Sequence, residues 1–427
     1  MDMIAEFALA PLQDWDAVIC TAQTVRDMVV ALMDEQAAYL KDRFGAQRVP
    51  RPQLPVIPLG VDCARFAPDA EVRAAQRAAL GIAEGEIAIL FLGRLSFHAK
   101  AHPYPMYLAL EHAARRTGKR LHLIQAGWFA NDFIEGAFRD GARDFCPSVT
   151  AHFLDARKPD VRFAVWQAAD IFTSLSDNVQ ETFGLTPIEA MAAGLPSMVS
   201  DWDGYRDTVQ HGEHGFRLPT LAPPPGQGAD LADAHAIGSD SYDRYCGYAS
   251  QFVAVDIDAA AEAYATLVDS PDLRARMGAA ARRTALASFD WRHIIARYQE
   301  LWAELAARRA SAPESAAATG PIHWPARADP YAMFARYPTE ALSLQHRLEP
   351  GNFAGDLAAI TAHPLFSFAK HRLRLDLCEF VLRTVAEGGS IPLADIAKGL
   401  GDADRAVLPR TAAFLAKLGM IRIAGAG

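Results

Sequence analysis

The stretch ADIFTSLSDNVQETFGLTPIEAMAAGLPSMVS, residues 169–200, reads as a strand, a turn, a short helix and a second strand. ADIFTSLS (169–176) is an apolar run of strand length, and PSMVS (196–200) is another. Between them Thr186, Pro187 and Glu189 fit the first turn of a helix, with Thr as N-cap, Pro at the first helical position and Glu reaching back to the cap amide. Gly194 stops that helix and Pro196 opens the next strand. On this reading Glu189 is only a capping residue. The turn nevertheless follows a strand directly, so it lies at the carboxyl-terminal edge of a sheet, where open α/β sheets bind ligands. The amides and positive dipole end of the helix face the same crevice, and Gly184 lets a backbone approach an anion closely. Glu181 and Glu189 would then accept hydrogen bonds from hydroxyls beside that anion. A nucleotide-diphosphate sugar, an anion flanked by two polyols, offers that combination.

Working outward, EIAILFLG (86–93), RLHLIQAG (120–127) and VTAHFLD (149–155) read as further strands, with helical patterns such as PMYLALEHAARRTG between them. That alternation predicts an α/β fold, a doubly wound Rossmann-like parallel sheet covered on both faces. The Pro/Gly-rich residues 221–256 read as a surface loop. Residues 258–307 turn helical, with Pro271 starting one helix and FDWRHIIARYQELWAEL forming the last. The division expected is 1–50, 51–310, a linker at 311–330 and a small helical unit at 331–427.

The chain has 427 residues, 51% hydrophobic and 22% charged, with a formal net charge of −9, which gives no global attraction to nucleic acid or acidic membranes. Five scattered cysteines without Cys-x-x-Cys spacing indicate neither a disulfide framework nor a zinc site, and fit reduced thiols in the cytoplasm. The first residues, MDMIAEFALAPLQDWD, are acidic where a secretory signal is basic, and no apolar run approaches membrane-spanning length.

ETFGLTPIEAMAAGLP resembles the E-x7-E signature of retaining glycosyltransferases of the GT-B fold, family 4 in particular. Three more segments are similar in the family's order: VIPLGVDCARFAP (56–68), FLGRLSFHAKAHP (91–103) and SDWDGYRDTVQHGEHGFRLP (200–219). The likeness runs from about Trp15 to Leu305. It implies that Arg94 and Lys100 neutralise the donor diphosphate, Glu181 bonds the transferred sugar and Glu189 holds the ribose. The amides of Gly184, Leu185 and Thr186 complete the phosphate cradle, and no metal is required. The Arg94–Lys100 loop departs from the family, with Ala101 after the lysine where Gly is usual. His98 and His102 read as loop histidines rather than ligands.

The resemblance also implies sugar transfer with retention in polysaccharide or glycoconjugate synthesis. The alternative is a non-catalytic donor-fold scaffold. An acceptor domain would come first, yet only about fifty residues precede the hinge. DWDAVICTAQTVRDMVVALMDE (14–35) is similar to the last strand and helix of such a domain. Trp15, Val18, Ile19, Val25, Met28 and Val29 then need cover from the donor domain, a separately encoded acceptor domain or self-association through 14–35. Deletion of 1–50 is expected to leave nucleotide binding intact.

SIPLADIAKGLGDADRAVLPRTAAFLAKLGMIRIAG (390–425) looks like the second half of a winged helix. Arg405, Arg410 and Lys417 on helix 403–418 are interspersed with Asp402 and Asp404. That mixture favours an interaction or packing role over DNA binding, and no nucleic-acid partner is expected.

Overall fold

The computed structural model describes residues 2–312 and 329–425, which fall into two compact units, Met1–Ile322 and His323–Gly427. Residues 313–328, most of the expected linker, lie outside the described residues.

The first unit is built on six parallel strands: β1 (Ile87–Leu92), β2 (Leu121–Gly127), β3 (Val149–Asp155), β4 (Ile171–Ser174), β5 (Ser197–Ser200) and β6 (Gly215–Leu218), in the order β3-β2-β1-β4-β5-β6. The continuous apolar runs of β1 and β2 are buried along their whole length, as strands covered on both faces require. One face carries Ile87, Ile89 and Phe91 against the helices Pro103–Thr117 and Ile257–Asp269; the other carries Ala88, Leu90 and Leu92 with Trp166, Phe172 and Ile188. The strand order reverses direction between β1 and β4, which are paired through Ile89–Ile171 and Leu90–Phe172. The loops leaving these two strands are the 93–102 loop and the 175–184 loop, so both open into one crevice.

Two expectations change. β6 is a sixth strand, too short and mixed in character to stand out in GFRL alone. Residues 221–256 are not a loop throughout. β7 (Thr220–Leu221) and β8 (Ala254–Val255) pair antiparallel and close the insertion at its base, and two helices, Ala229–Ala236 and Tyr242–Ser250, stand between them. Ser241 caps the second helix by accepting the Arg244 amide, and Cys246, Gly247 and Ser250 form its buried side.

The segment ahead of the hinge is covered by its own chain. Ala17 bridges Gln53 and Cys20 bridges Val56, both parallel, with the Ile57 amide donating to the Cys20 carbonyl at 2.9 Å. A 22-residue helix follows, Gln23–Phe44, whose Val29 and Met33 pack with Cys20, Leu54 and Val56. Ile19 packs on Ile57, Ile294 and Leu301. Of the six apolar residues that needed cover, Met28 alone is exposed, at 40%.

In the second unit β9 (Arg347–Pro350), β10 (Ile391–Pro392) and β11 (Ile421–Ala424) form an antiparallel sheet of order β10-β9-β11. The helices Leu375–Gly388, Leu393–Lys398 and Asp402–Lys417 bury Val381, Leu393, Ile396, Leu408, Ala412 and Leu415. The helix-turn-helix-strand order matches the winged-helix expectation. The middle strand, however, comes from residues 347–350, upstream of all three helices. Arg405 pairs with Asp402 and Arg374 with Asp404, so charge on this face is neutralised locally.

Candidate functional site

The 93–102 loop is a compact turn. The Ser96 amide donates to the Arg94 carbonyl, and the Lys100 and Ala101 amides both donate to the Ser96 carbonyl. Arg94 stays exposed while its guanidinium donates to the Ala99 carbonyl at 3.0 Å. Lys100 leaves the turn toward the second loop and forms an ion pair with Glu181. Glu181 is buried and also accepts from the Tyr205 hydroxyl at 3.1 Å, which lies 2.7 Å from the Ser174 hydroxyl at the end of β4. The cation and the first glutamate of the motif are therefore brought together, and they neutralise each other. Burial, with Glu181 beside it, holds the Tyr205 hydroxyl well above its usual pKa, so it donates.

The capping reading of Glu189 is overturned. The helix Leu185–Ala192 begins two residues earlier than its Thr-Pro step suggests, with Gly184 at the N-cap, φ +79°, and no side chain capping it. A Cβ on Gly184 would stand 2.1 Å from the Tyr205 ring, so the close turn and the positive φ both require glycine. The Thr186 hydroxyl is buried without a hydrogen-bond partner. Glu189 is also buried; burial raises its pKa more than Arg162, 3.9 Å away and on the surface, lowers it. A buried carboxylate and an orphaned hydroxyl at an uncapped helix start are costly unless something else meets them.

Four residues the sequence did not single out complete the site. Tyr205 is one. Asp177 is buried and accepts the His102 amide at 3.2 Å, and burial pushes its carboxyl up to about 7. Asn178 donates to the His98 carbonyl at 2.7 Å while its own carbonyl accepts from the Trp202 indole at 3.0 Å. Asp203 has φ +41° and is raised to about 6, chiefly by burial, with Glu181 among the neighbouring charges and the Thr24 side chain opposing. Gly204 beside it has no room for a Cβ, which would meet Phe183 Cα at 2.5 Å. The amino end of helix Gln23–Phe44 reaches the short helix Tyr205–Thr208 that follows, its Gln23 amide donating to Asp207 at 2.6 Å. His102 caps the helix Pro103–Thr117, and His98 lies 3.1 Å from Asp243 and 3.3 Å from the Ser96 hydroxyl. All five cysteines are free and buried, and among the described residues no helix is long and apolar enough to cross a membrane.

A doubly wound parallel sheet with a cationic loop and an uncapped helix start meeting at its switch point defines a Rossmann-like domain. Residues 72–223 match the family described as glycosyl transferases group 1. It is 32% identical to a D-inositol 3-phosphate glycosyltransferase of Nocardia farcinica over 221 residues, 51% of this chain and 46% of that protein. It is 29% identical to one of Kineococcus radiotolerans over 303 residues, covering 68% and 62%. The chain spans about half the length of most of the curated relatives it matches. Among solved structures it is similar to a sucrose-phosphate synthase of Thermosynechococcus elongatus, at 22% identity and TM-score 0.43 over 68% and 59% of the two chains. It is also similar to Anabaena Alr3699/HepE in complex with UDP, at 18% identity and TM-score 0.45 over 70% and 64%.

Proposed function

We propose that residues 51–310 bind a nucleotide-diphosphate sugar and that the protein transfers the sugar with retention, as a family-4 hexosyl-type transferase. The observation that carries this reading is the Thr186 hydroxyl, buried and unpartnered at the uncapped start of a helix, beside Gly184 and the Lys100–Glu181 pair. An anion at that helix start gains the hydroxyl, the Gly184, Leu185 and Thr186 amides and the dipole end. Lys100 then exchanges Glu181 for the diphosphate, and Arg94 swings from the Ala99 carbonyl to join it. Freed of Lys100, Glu181 accepts from a hydroxyl of the transferred sugar. Glu189 accepts from the ribose, which explains a carboxylate buried with only a distant cation.

The leaving diphosphate gains charge in the transition state, and on this reading Arg94, Lys100 and the helix amino end stabilise it without a metal. Residues 1–50 supply a remnant of the acceptor side, and 331–427 serve as an interaction module. Free buried thiols support a cytoplasmic site of action. The names of the relatives make an inositol phosphate the first acceptor to offer. Incubation with uridine-, guanosine- and adenosine-diphosphate sugars, followed by product analysis, tests the reading. An α-linked product from an α-linked donor is the expected result; a β-linked product contradicts retention, and no donor turnover with any of them contradicts the activity.

A further inference from the structure

The sequence Lys100-Ala101 departs from the pattern of the resembling family, and the structure shows what holds this loop. Three consecutive buried residues on the segment between β4 and Glu181 each take hold of its backbone. The Ser176 hydroxyl donates to the Lys100 carbonyl at 3.2 Å, Asp177 Oδ1 accepts the His102 amide at 3.2 Å, and Asn178 Nδ2 donates to the His98 carbonyl at 2.7 Å. The tripeptide is itself fixed from the far side. Ser200 at the end of β5 donates to the Ser176 carbonyl at 2.6 Å, and the Trp202 indole donates to the Asn178 carbonyl. Asn178 Oδ1 accepts the Gln180 amide at 2.9 Å, one residue short of Glu181. Both partners of the Lys100–Glu181 pair thus hang from the same three residues, one through the loop and one through the chain.

We propose that Ser176, Asp177 and Asn178 are positioning residues for the diphosphate of the donor, fixing the Lys100 loop in its binding conformation. This rests on the donor-site reading above. Each contact holds a backbone group rather than the lysine side chain, so it sets where Lys100 starts and leaves its ammonium free to change partner. The clamp needs only a lone pair from Asp177, which the neutral carboxyl favoured by burial supplies as well as the carboxylate. An amide at that position supplies the same lone pair, whereas Leu does not.

The test is hydrogen exchange on the intact, unliganded chain, with titration of uridine, guanosine and adenosine diphosphate in parallel. Ser176→Ala, Asp177→Leu and Asn178→Ala are expected to raise exchange across 96–102 about tenfold or more, with β1 and β2 still protected, and to weaken diphosphate binding about tenfold each. Ser176→Thr and Asp177→Asn restore both. Unchanged exchange at 96–102 in Ser176→Ala and Asn178→Ala overturns the clamp. Faster exchange with undiminished affinity overturns its role in donor positioning. If the wild type binds none of the three diphosphates, the donor reading falls, and the exchange arm decides the clamp by itself. Should Asn178→Ala fail to fold, Ser176→Ala, which removes one 3.2 Å bond, carries the comparison.

Discussion

Gly184→Ala is the substitution that presses hardest on the architecture of the site. Its Cβ would fall 2.1 Å from Tyr205 Cε1 and 2.8 Å from Cδ1, and the residue has φ +79°. An L-residue in that region costs about 1–2 kcal/mol. The ring cannot step aside freely, because Tyr205 is fully buried and its hydroxyl is tied to Ser174 and Glu181. Overpacking of this kind costs about 1–3 kcal/mol, so the whole effect is about 2–5 kcal/mol. Gly212→Ala isolates the backbone share, because Gly212 has φ +81° with nothing within 4 Å of its would-be Cβ. Urea unfolding followed by tryptophan fluorescence reads mainly the first unit, which holds six of the seven tryptophans. Gly184→Ala is expected to lose about 1–3 kcal/mol more than Gly212→Ala and to weaken diphosphate binding, because Tyr205 drags Glu181 with it. Equal losses in the two variants would refute the packing argument.

Removing Lys100 leaves Glu181 buried without its cation, so Lys100→Met should cost about 3–5 kcal/mol by urea unfolding. The double variant Lys100→Met/Glu181→Gln should recover about 1–3 kcal/mol of the sum, and strict additivity would deny the pair. Asp177 holds its proton up to about pH 7 when folded, against about 3.9 in an unfolded chain. Between those values the native state binds more protons, so stability falls as pH rises from about 4 to 7 and is flat above. Wild type should therefore lose up to about 4 kcal/mol relative to Asp177→Asn over that window, and a pH-independent difference would contradict the burial. The bridges of 17–20 to 53–56 predict slow exchange at Val18 and Cys20 in a monomer, measured by hydrogen exchange together with sedimentation; rapid exchange there would show that the segment lacks a native seat.

The sheet was legible because its strands are continuous apolar runs. IAILFL can be buried on both faces only in a covered parallel sheet, and a strand followed by Gly184 and a helix places the crevice. Arg94, Lys100, Glu181 and Glu189 were singled out through their resemblance to a family pattern, and the ion pair between Lys100 and Glu181 is a contact that the resemblance did not name. Where reading failed, the cause was tertiary. The Thr186-Pro187-x-Glu189 step has the local chemistry of a capping box, but the packing of Gly184 against Tyr205 starts the helix at Leu185 and leaves the box unmade. Tyr205 itself stands 24 residues from Glu181 with no local pattern to mark it. Residues 221–256 were misread because Pro223, Pro224, Pro225 and Gly226 dominate the composition, while the helix Tyr242–Ser250 is stabilised by its Ser241 cap and by burial of Cys246. In sequence Ser176 closes an apolar strand-length run and Asp177 and Asn178 begin the turn after it. Their hold on the loop 75 to 80 residues away appears only once β1 and β4 are neighbours.

Titration calorimetry with uridine, guanosine and adenosine diphosphate puts the donor site to the most direct test. One of the three should bind the wild type, and Arg94→Ala should weaken it about tenfold to a hundredfold, the share of one charge-assisted contact. Glu189→Ala should weaken it about tenfold without loss of stability, since its buried carboxylate is disfavoured by burial in the unliganded protein. No binding of any of the three, or binding that Arg94→Ala and Glu189→Ala leave unchanged, would contradict the assignment of this crevice as a nucleotide-sugar site.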